Sequence, residues 1–473
     1  MFSSDVGAAF LKGVTFEDLA EVSGTPLRKV AMEIPATSLE IFKEQEGFHH
    51  IDQRYVLDII KPVYALKDAP RLWQMSSHTA LVEYKTSPRV LNRHTLRSDR
   101  RLYVWFEQED ASDKWSLMLL LSTHVDDFKG TCRTRKVGED FVEFLKKKFG
   151  DCKCDWDVFT HVGVKNTRHP NGDVELDQHE YVKQLRLIDA TGIKALLAES
   201  SVTDTYGSLY RSLLGAIAWM CQTRPDIYVF VVSLQRHNQA PQCIHIKRLN
   251  TLLRWIKRRN ASLVYKCHAF KTMTVKCISD AAFKGEDVTA LAMRGGIVAL
   301  GDWNDNTMGG TIHILEFFSG RQKRVVRSTL GAETRSLADT VDIGKVIAIA
   351  MTEMAGHGLT TTEARDVELN GFHLVKMEAA TDARSLFDAL QSEDSRTPTE
   401  VSMLFDLAAL REALVVKRIH RIWWLDTHDM LADGLTKGII NRDALIATAM
   451  SGQWIVKDNA KAYVAPHRPL CED

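Results

Sequence analysis

The most constraining stretch of this 473-residue chain is a short apolar run that leads to two adjacent carboxylates. Residues 117–121 are wholly apolar, and Asp126 and Asp127 follow shortly after them. The run is too short to span a membrane and is bounded by polar residues, so it predicts a buried strand. Two carboxylates at the end of a buried strand are stabilised when a divalent cation such as Mg²⁺ binds them. A solvated turn that happens to hold two aspartates is the open alternative.

The composition is that of an ordinary globular chain, long enough for roughly two to four domains. Lysine plus arginine (61) equals aspartate plus glutamate (61), so a nucleic-acid function must rest on local patches. No long apolar span or signal-peptide pattern is present, which disfavours membrane insertion and secretion. The eight cysteines are scattered and are expected to be free thiols in a reducing compartment. Whether that compartment is a cytoplasmic particle or the nucleus stays open.

Local patterns in the first half predict strands, a helix and two turns. Asp5 precedes a small apolar segment, which indicates a strand end followed by a short helix, or alternatively an N-cap aspartate. Residues 101–106 and 115–125 predict two strands joined by a polar hairpin loop. Residues 139–149 have apolar side chains at helical spacing, and Asn171-Gly172 is a strong signal for a two-residue hairpin turn.

The second half carries one strongly basic segment, residues 245–259, with six lysines and arginines and one tryptophan. This pattern predicts a helix that contacts phosphate groups. A solvated helix face is the alternative of comparable weight. The candidate nucleic-acid-binding residues are Lys247, Arg248, Arg254, Lys257 and Arg258.

From residue 274 onward, strands and helices follow a characteristic order. Strands are predicted over residues 275–279, 296–300 and 312–318, followed by a long helix over 332–355. A strand over 372–380, helices over 383–390 and 401–414, a strand over 415–425 and a final turn or helix over 429–438 complete the series. This order resembles that of a ribonuclease H-like α/β fold.

Motifs in colinear order give the chain a resemblance to the Pol polyprotein of copia-type LTR retrotransposons. DVGAAFLKG (5–13) resembles the first catalytic-aspartate motif of the reverse transcriptase palm, and HVDD (124–127) resembles YVDD. YALKDAPRLW (64–73) is similar to YGLKQAPRxW, and YRSLLG with TRPDI (210–215 and 223–227) is similar to YRSLVG…TRPDI. In the second half SDA (279–281), RST with AET (327–334), TDARS (381–385) and LADGLTK (431–437) resemble the ribonuclease H motifs. Together these matches are far more specific than any one of them.

The resemblance implies an α+β multidomain fold. It places a reverse transcriptase palm with incomplete fingers at residues 1–205 and a helical thumb or connection at 206–270. A ribonuclease H-like α/β domain would then span 271–440, and a C-terminal tail 441–473.

The resemblance also implies two metal-dependent sites, each with two Mg²⁺ ions, with Mn²⁺ as the alternative. The polymerase ligands would be Asp5, Asp126 and Asp127, and the ribonuclease H ligands would be Asp280, Glu333, Asp382 and Asp433. Asp68, Arg71 and His124 would lie at the incoming nucleotide. The implied partners are an RNA template, an RNA–DNA hybrid, dNTPs and other Pol or Gag segments, with no membrane.

Departures from the family pattern leave two functions open. The chain begins just before Asp5, so we expect an N-terminally truncated protein without the fingers segment. Asp68 replaces a glutamine and would repel a triphosphate, and His124 replaces the tyrosine of YVDD. Residues 356–370 are expected to be an inserted loop. The chain is therefore either an RNA-directed DNA polymerase with ribonuclease H activity, or a polymerase-inactive remnant or repurposed nucleic-acid-binding protein, with or without ribonuclease H as its one remaining activity. An integrase is less favoured, because no His/Cys zinc cluster precedes the second half.

Overall fold

A computed structural model describes residues 1–84, 90–108, 115–283, 291–355, 359–371, 375–392, 401–457 and 460–467. The chain divides into two compact units, Met1–Trp156 and Asp157–Asp473, which are described separately. Both contain helices and sheets, so the mixed α+β composition is confirmed. The four-part domain division stays a prediction. In the described part of the chain, no helix is long and apolar enough to cross a membrane.

The first unit contains eight strands and four α-helices in its described residues. Its strands are β1 (Phe2–Val6), β2 (Ala31–Glu33), β3 (Val56–Asp58), β4 (Val90–Thr95), β5 (Leu102–Gln108), β6 (Trp115–His124), β7 (Asp127–Cys132) and β8 (Cys152–Trp156). Its helices are α1 (Phe16–Ser23), α2 (Ala36–Lys43), α3 (Ala69–Glu83) and α4 (Arg135–Phe149). A short 3-10 helix, Ala9–Lys12, follows β1 as the sequence predicts.

Six of these strands form one antiparallel sheet in the order β4-β5-β6-β7-β1-β8. The predicted pairing of β5 with β6 is confirmed, and residues 109–114 of their connection lie outside the described residues. The core between this sheet and helices α3 and α4 is aromatic, with Phe2, Phe128 and Phe141 wholly buried. Burial of such large apolar side chains is the main stabilising contribution in a unit of this size.

The second unit contains the remaining elements. Its strands are β9 (Val158–His161), β10 (Val164–Arg168), β11 (Val174–Asp177), β12 (Leu263–Tyr265), β13 (Met273–Ala282), β14 (Met293–Asp302), β15 (Gly310–Arg321), β16 (Lys376–Thr381), β17 (Arg421–Trp424), β18 (Gln453–Trp454) and β19 (Lys461–Tyr463). Its α-helices are α5 (His179–Gln184), α6 (Asp204–Trp219), α7 (Tyr228–Gln235), α8 (Cys243–Arg258), α9 (Thr329–Ala355), α10 (Thr361–Asn370), α11 (Arg384–Gln391), α12 (Val401–Val415), α13 (Asp433–Thr436) and α14 (Asp443–Ser451).

A seven-stranded sheet organises this unit, in the order β18-β15-β14-β13-β16-β17-β19. Strands β13, β14 and β15 form the predicted antiparallel meander, whereas β16 and β17 run parallel to β13. The long helix α9 packs across β13, β14 and β16. Gly344 lies at this contact, where a Cβ atom would overlap the Sγ of Cys277 on β13. The missing side chain therefore allows α9 to lie directly on the sheet.

Helices α6, α7 and α8 form a separate apolar cluster, and strands β9–β12 form a four-stranded sheet. The hairpin predicted at Asn171-Gly172 is confirmed and joins β10 to β11, but its turn is longer than the predicted two residues, because the backbone N–H of His169 donates to the carbonyl of Asp173. Gly172 in this turn has a φ of 88°. Such a positive φ is readily adopted by glycine.

Two secondary-structure predictions are wrong. Within the segment expected to be an inserted loop, Thr361–Asn370 is helix α10, and residues 356–358 lie outside the described residues. Thr360 and Glu363 form a capping box, which stabilises the first turn of that helix. The strand predicted over 415–425 is shorter, because α12 continues to Val415 and Lys417 has a φ of 61° that ends the helix.

Candidate active sites

Three carboxylates converge at one edge of the seven-stranded sheet. Asp280 lies near the end of β13, and Asp382 follows β16. These two strands are parallel neighbours, with Ile278 opposite Ala380, so their carboxyl ends meet at the same edge. Glu333 is contributed by the first turns of α9. One ligand atom from each of these acids lies within 4.8 Å of the other two.

Hydrogen bonds hold α9 against the end of β13. Ser336, one helical turn after Glu333, donates from Oγ to the backbone oxygen of Asp280 at 2.8 Å. The hydroxyls of Ser336 and Ser279 are also 3.0 Å apart. These contacts fix the helix at the strand end, which brings Glu333 to the two aspartates.

Asp433, the fourth predicted ligand, is linked to Asp280 by Lys437, which contacts both carboxylates. It begins helix α13, and its carboxylate accepts a hydrogen bond of 2.6 Å from Lys437. The same ammonium group lies 3.3 Å from Oδ1 of Asp280. Thr436 donates from Oγ1 to Oδ2 of Asp280, and Thr427 donates to Asp382 at 3.0 Å. Every carboxylate except that of Glu333 therefore has a side-chain donor.

Burial and the neighbouring acids raise the pKa values of Glu333, Asp382 and Asp433. Burial, and then Asp280 and Asp382, raise the pKa of Glu333 to about 9. Burial, and then Asp280, raise the pKa of Asp433 to about 7, and the same causes raise that of Asp382. Burial lowers the pKa of Lys437, but Asp280 and Asp433 outweigh it, so this lysine is held as a cation. The cluster thus stores electrostatic repulsion that a cation would relieve.

The donor set fits a hard divalent cation. In the described part of the chain, the buried Oε2 of Glu333 has no hydrogen-bond partner. A buried carboxylate oxygen without a partner is costly, and carboxylate oxygens are the ligands that Mg²⁺ prefers in proteins. Asp280, Glu333 and Asp382 could therefore hold a magnesium ion, with Asp433 at the margin of the same site.

A second group of acids lies in the first unit. Asp5 on β1 is directly opposite Asp127 on β7, and Asp126 lies in the turn between β6 and β7. Burial, and then Asp126, raise the pKa of Asp5, and burial, and then Asp5, raise that of Asp127. The ligand atoms of these three acids do not all lie within 4.8 Å of one another, since among the described residues this criterion selects Asp280, Glu333 and Asp382 alone.

The turn that carries Asp126 has an unusual backbone. His124 pairs with Asp127, so Val125 and Asp126 are the two central turn residues. Val125 has a φ of 56°, which is unfavourable for a β-branched residue. Its carbonyl accepts a hydrogen bond of 2.6 Å from the indole nitrogen of the buried Trp73. This contact offsets part of the backbone strain.

The three predicted nucleotide-binding residues do not form a cluster with hydrogen bonds between them in the described residues. Asp68 precedes α3 and forms an ion pair with Arg28. Arg71 is exposed in the first turn of α3, and His124 is exposed at the end of β6. Arg28 neutralises the carboxylate that was expected to repel a triphosphate. No sequence signal indicated this partner, because the two residues lie far apart in the chain.

The predicted basic residues lie on helix α8, whose apolar side is buried in the helical cluster. Lys247, Arg248, Arg254, Lys257 and Arg258 are all exposed. The helix contains no aspartate or glutamate. By contrast, on α4 Arg135 and Lys136 each pair with an acid four residues away. Within the part of the chain that the structure describes, these five residues form no ion pair, so the exposed side of α8 is a positive surface.

Sequence reasoning missed Thr436 and Lys437 as contacts of the acid cluster. Both belong to the LADGLTK motif, where only Asp433 was singled out. They are three and four residues after Asp433, so the helical geometry of α13 turns them toward the same side. That spacing is a signal that could have found them.

Comparison with known proteins shows that the chain is similar to the Pol polyproteins of retrotransposons. No protein-family model matches the chain. The chain is 24% identical over 446 residues to the "Retrovirus-related Pol polyprotein from transposon RE1" of Arabidopsis thaliana, a match that covers 92% of the chain and 26% of that protein. The corresponding protein from transposon RE2 is 25% identical over 411 residues, covering 84% of the chain and 25% of that protein. An uncharacterized mitochondrial protein of the same plant is 27% identical over 193 residues, which is 39% of the chain and 75% of that protein.

These matches confirm the resemblance to a copia-type Pol polyprotein that the motifs indicate. The chain spans about a quarter of the length of the two Pol relatives.

Proposed function

We propose that the chain is the reverse transcriptase and ribonuclease H segment of a retrotransposon Pol polyprotein. The function that the geometry supports best is hydrolysis of the RNA strand of an RNA–DNA hybrid. One observation carries this proposal: Asp280, Glu333 and Asp382 come from three separate elements, and their ligand atoms lie within 4.8 Å of one another. An acid cluster of this kind is expected where divalent metal ions assist phosphodiester chemistry.

The order of elements around the cluster supports the same function. Three antiparallel strands, the long helix α9 and the parallel strands β16 and β17 follow the order expected of a ribonuclease H-like fold. Each of the four acids lies at the position that this fold would give it: on the first strand, on the first helix, after the fourth strand and at a late short helix. The positions of the four acids in the fold therefore support the proposal in addition to the sequence motifs.

Asp280, Glu333 and Asp382 would supply the oxygen ligands, with Asp433 beside them. Bound Mg²⁺ or Mn²⁺ would activate a water molecule and stabilise the charge on the phosphate group that is attacked. The residues of the chain itself would orient these ligands: Thr436 and Lys437 hold Asp280, and Thr427 holds Asp382. Hydrogen bonds of this kind fix the direction in which carboxylate oxygens point.

The test is cleavage of an end-labelled RNA strand in an RNA–DNA hybrid by the purified chain with Mg²⁺. We expect Asp280→Asn and Glu333→Gln each to reduce cleavage by roughly a hundredfold or more, since even outer-shell partners contribute about 10–100-fold. Asp342→Asn is the matched control, because Asp342 is an exposed acid on α9 away from the cluster. Cleavage that is absent in the native chain, or unchanged in both cluster variants, would refute the proposal.

RNA-directed DNA polymerisation is the second candidate function, and the first unit supports it. Asp5 and Asp127 are paired across neighbouring antiparallel strands beside the turn that holds Asp126. Their pKa values are raised first by burial and then by neighbouring carboxylates, and a bound metal would relieve that repulsion. Asp68, Arg71 and His124 are proposed to lie at the incoming dNTP, with Arg28 offsetting the charge of Asp68.

Primer extension on an RNA template with dNTPs and Mg²⁺ tests this second function. We expect Asp126→Asn to abolish extension, whereas Asp155→Asn, an exposed acid on β8, should leave it unchanged. If the native chain cleaves hybrid but does not extend a primer, the alternative of a chain with ribonuclease H as its sole activity is supported instead. If it does neither and still binds nucleic acid, it is a repurposed binding protein.

The positive side of α8 is proposed to contact the phosphates of template and hybrid. Residues 206–270, which contain α8, would then be the connection between polymerase and nuclease segments. Other Pol or Gag segments are the partners expected of a polyprotein.

A further inference from the structure

A groove of about 850 Å³ lies in the second unit, outside the acid cluster. Its walls are helix α7, helix α8 and the loop of residues 438–443. A volume of this size is within the range of ligand-binding pockets in proteins, which is roughly 300–1,000 Å³. We call it the α7–α8 groove. Its lining contains no residue of the acid cluster and none of the proposed dNTP-binding residues Asp68, Arg71 and His124.

The groove combines apolar and aromatic surface. Phe230 and Leu234 from α7 and Leu252 and Trp255 from α8 line it. Ile439 of the loop also lines it, although its side chain is 100% exposed. The fully exposed isoleucine beside the half-buried Phe230 and Trp255 gives the groove an apolar surface that is available to a ligand.

The α8 side of the groove is positively charged. Lys247 and Arg248 line it, and among the described residues neither forms an ion pair. Asp443, the acid in the lining, is bound to Arg259 at 2.8 Å. The groove therefore presents two free cations beside a planar indole ring. That combination fits a ligand with negative charges and flat apolar groups.

We propose that the α7–α8 groove binds an unpaired, single-stranded segment of nucleic acid. A base would lie on Trp255 and Ile439, and phosphates would contact Lys247 and Arg248. A duplex keeps its bases stacked inside and offers backbone and groove edges, whereas a single strand can insert bases into an apolar groove. An acidic peptide could pair with Lys247 and Arg248, but its carboxylates would offer no flat ring to stack on Trp255.

The position of the loop connects the groove with the acid cluster along the chain. Gly438, which lines the groove, directly follows Lys437, which contacts Asp280 and Asp433. A nucleic acid at the acid cluster would thus have the groove within reach of an unpaired end. The inference rests on the proposed nucleic-acid role of the chain but not on catalysis.

The test measures binding of fluorescently labelled oligonucleotides to the full chain by anisotropy, at low salt and with EDTA to prevent cleavage. The probes are a single-stranded RNA of about 12 nucleotides and a blunt RNA–DNA hybrid of equal length. The variants are Ile439→Asp and the double variant Lys247→Glu/Arg248→Glu. The matched control is Arg254→Glu/Lys257→Glu, which makes the same charge change on α8 outside the groove.

We expect each groove variant to weaken single-strand binding by about tenfold or more, and hybrid binding no more than the control variant does. The control variant should weaken both probes to a similar, smaller extent, because it changes only long-range attraction. Equal effects of groove and control variants would overturn the proposal. So would equal loss of hybrid and single strand, or displacement of the RNA by polyglutamate at lower concentration than by unlabelled RNA.

Cleavage of the blunt hybrid separates this inference from the proposed function. If the native chain cleaves no hybrid but the groove variants selectively lose single-strand binding, the proposed nuclease fails and the groove assignment stands. If Ile439→Asp cleaves hybrid normally and binds single strands normally, the groove assignment fails and the nuclease stands.

Discussion

Glu333 is a buried acid whose carboxylate is only partly satisfied by hydrogen bonds among the described residues. One of its oxygens is buried without a partner, and two other acids share its site. Its pKa is raised from an ordinary value of 4.5 to about 9, chiefly by burial. In the absence of metal, Glu333 is therefore held as the neutral acid near neutral pH.

This shift has a definite sign for stability. Between pH 4.5 and about 9 the folded chain keeps a proton that the unfolded chain has released. The contribution of Glu333 to the free energy of unfolding should therefore be highest below the lower value and fall as pH rises toward the upper one. With EDTA present, we expect Glu333→Gln to flatten this decline, as measured by urea unfolding at about pH 5, 7 and 9.

Addition of Mg²⁺ is the companion measurement. Because a cation favours the ionised carboxylates, its stabilising effect should increase with pH in the native chain and be smaller in Glu333→Gln. An identical pH dependence in native and variant chains would mean that Glu333 is ionised in the folded state.

Thr436 is expected to act by orienting Asp280. Replacing it by valine removes the donor to Oδ2 of Asp280 while keeping the shape of the side chain. We expect Thr436→Val to reduce hybrid cleavage by about 10–100-fold with little change in thermal stability. Thr352→Val is the control, since Thr352 is equally buried but donates to Ala348 within α9. Equal activities of the two variants would exclude an orienting role.

The four acids of this cluster could be nominated from sequence because each lies in a recognisable short motif. Their mutual distances could not, since these depend on β16 lying beside β13 rather than beside β15. Arg28 was beyond sequence reasoning for a different reason: it is 40 residues from Asp68 and lies in a segment without a motif. Side-chain pairs across such separations are decided by tertiary packing.

At the scale of elements, a buried charge network joins three neighbouring strands. Lys276 on β13, Glu378 on β16 and Arg421 on β17 lie side by side in register. The carboxylate of Glu378 contacts Lys276 at 2.8 Å and Arg421 at 2.6 Å. Lys276 also donates to the Met308 carbonyl at 2.8 Å, and Arg421 stacks over Trp303 at 3.9 Å. The network is buried almost completely.

Removing the single anion of this network should be strongly destabilising. Glu378→Gln would remove the buried counter-charge of both cations and leave Arg421 with the exposed Asp305 alone, so we expect a loss of about 3–5 kcal/mol in the free energy of unfolding. Urea unfolding followed by tryptophan fluorescence measures it. Asp305→Asn, at the exposed acid 3.7 Å from Arg421, should change stability by less than about 0.5 kcal/mol. A small effect of Glu378→Gln would mean that water solvates the two cations.

The turn between β6 and β7 should become more stable when its strain is removed. Val125→Gly allows the positive φ without steric cost, so we expect the free energy of unfolding to rise by roughly 1 kcal/mol. Val82→Gly, at an exposed position inside helix α3, should lower it instead by about 0.5–1 kcal/mol. If Val125→Gly is also destabilising, packing of the valine outweighs its backbone strain.

At the scale of the whole molecule, the two compact units suggest independent folding. In its described residues the second unit contains two sheets, four apolar clusters and the entire acid cluster. We expect a fragment of residues 157–473 to unfold cooperatively and to cleave hybrid at a rate within about tenfold of the full chain. Circular dichroism melting and the hybrid assay measure the two properties. An unfolded fragment would mean that the first unit is needed for its stability.

Much of the second unit could be predicted because its elements alternate in a regular order. The meander of β13, β14 and β15 and the long helix α9 have clear apolar periodicity, which does not depend on distant partners. Helix α10 was missed because its segment is mostly polar and has weak apolar periodicity, although its capping box is visible in the sequence. Strand β4 was missed as well, since its residues have no strong alternation. Local patterns therefore predict elements well where an apolar face is continuous.

Gly344 has a consequence for the chemistry proposed at the far end of its helix. It is 11 residues after Glu333, close to three full turns, so both lie on the same side of α9 and about 16 Å apart along the axis. A helix of this length moves as a nearly rigid body. A methyl group at Gly344 would overlap Cys277 and push the helix away from the sheet there. The N-terminal part of the helix would move with it and take the Glu333 carboxylate away from its two aspartates. The missing side chain at Gly344 thus sets the position of the proposed metal ligand Glu333, three helical turns away.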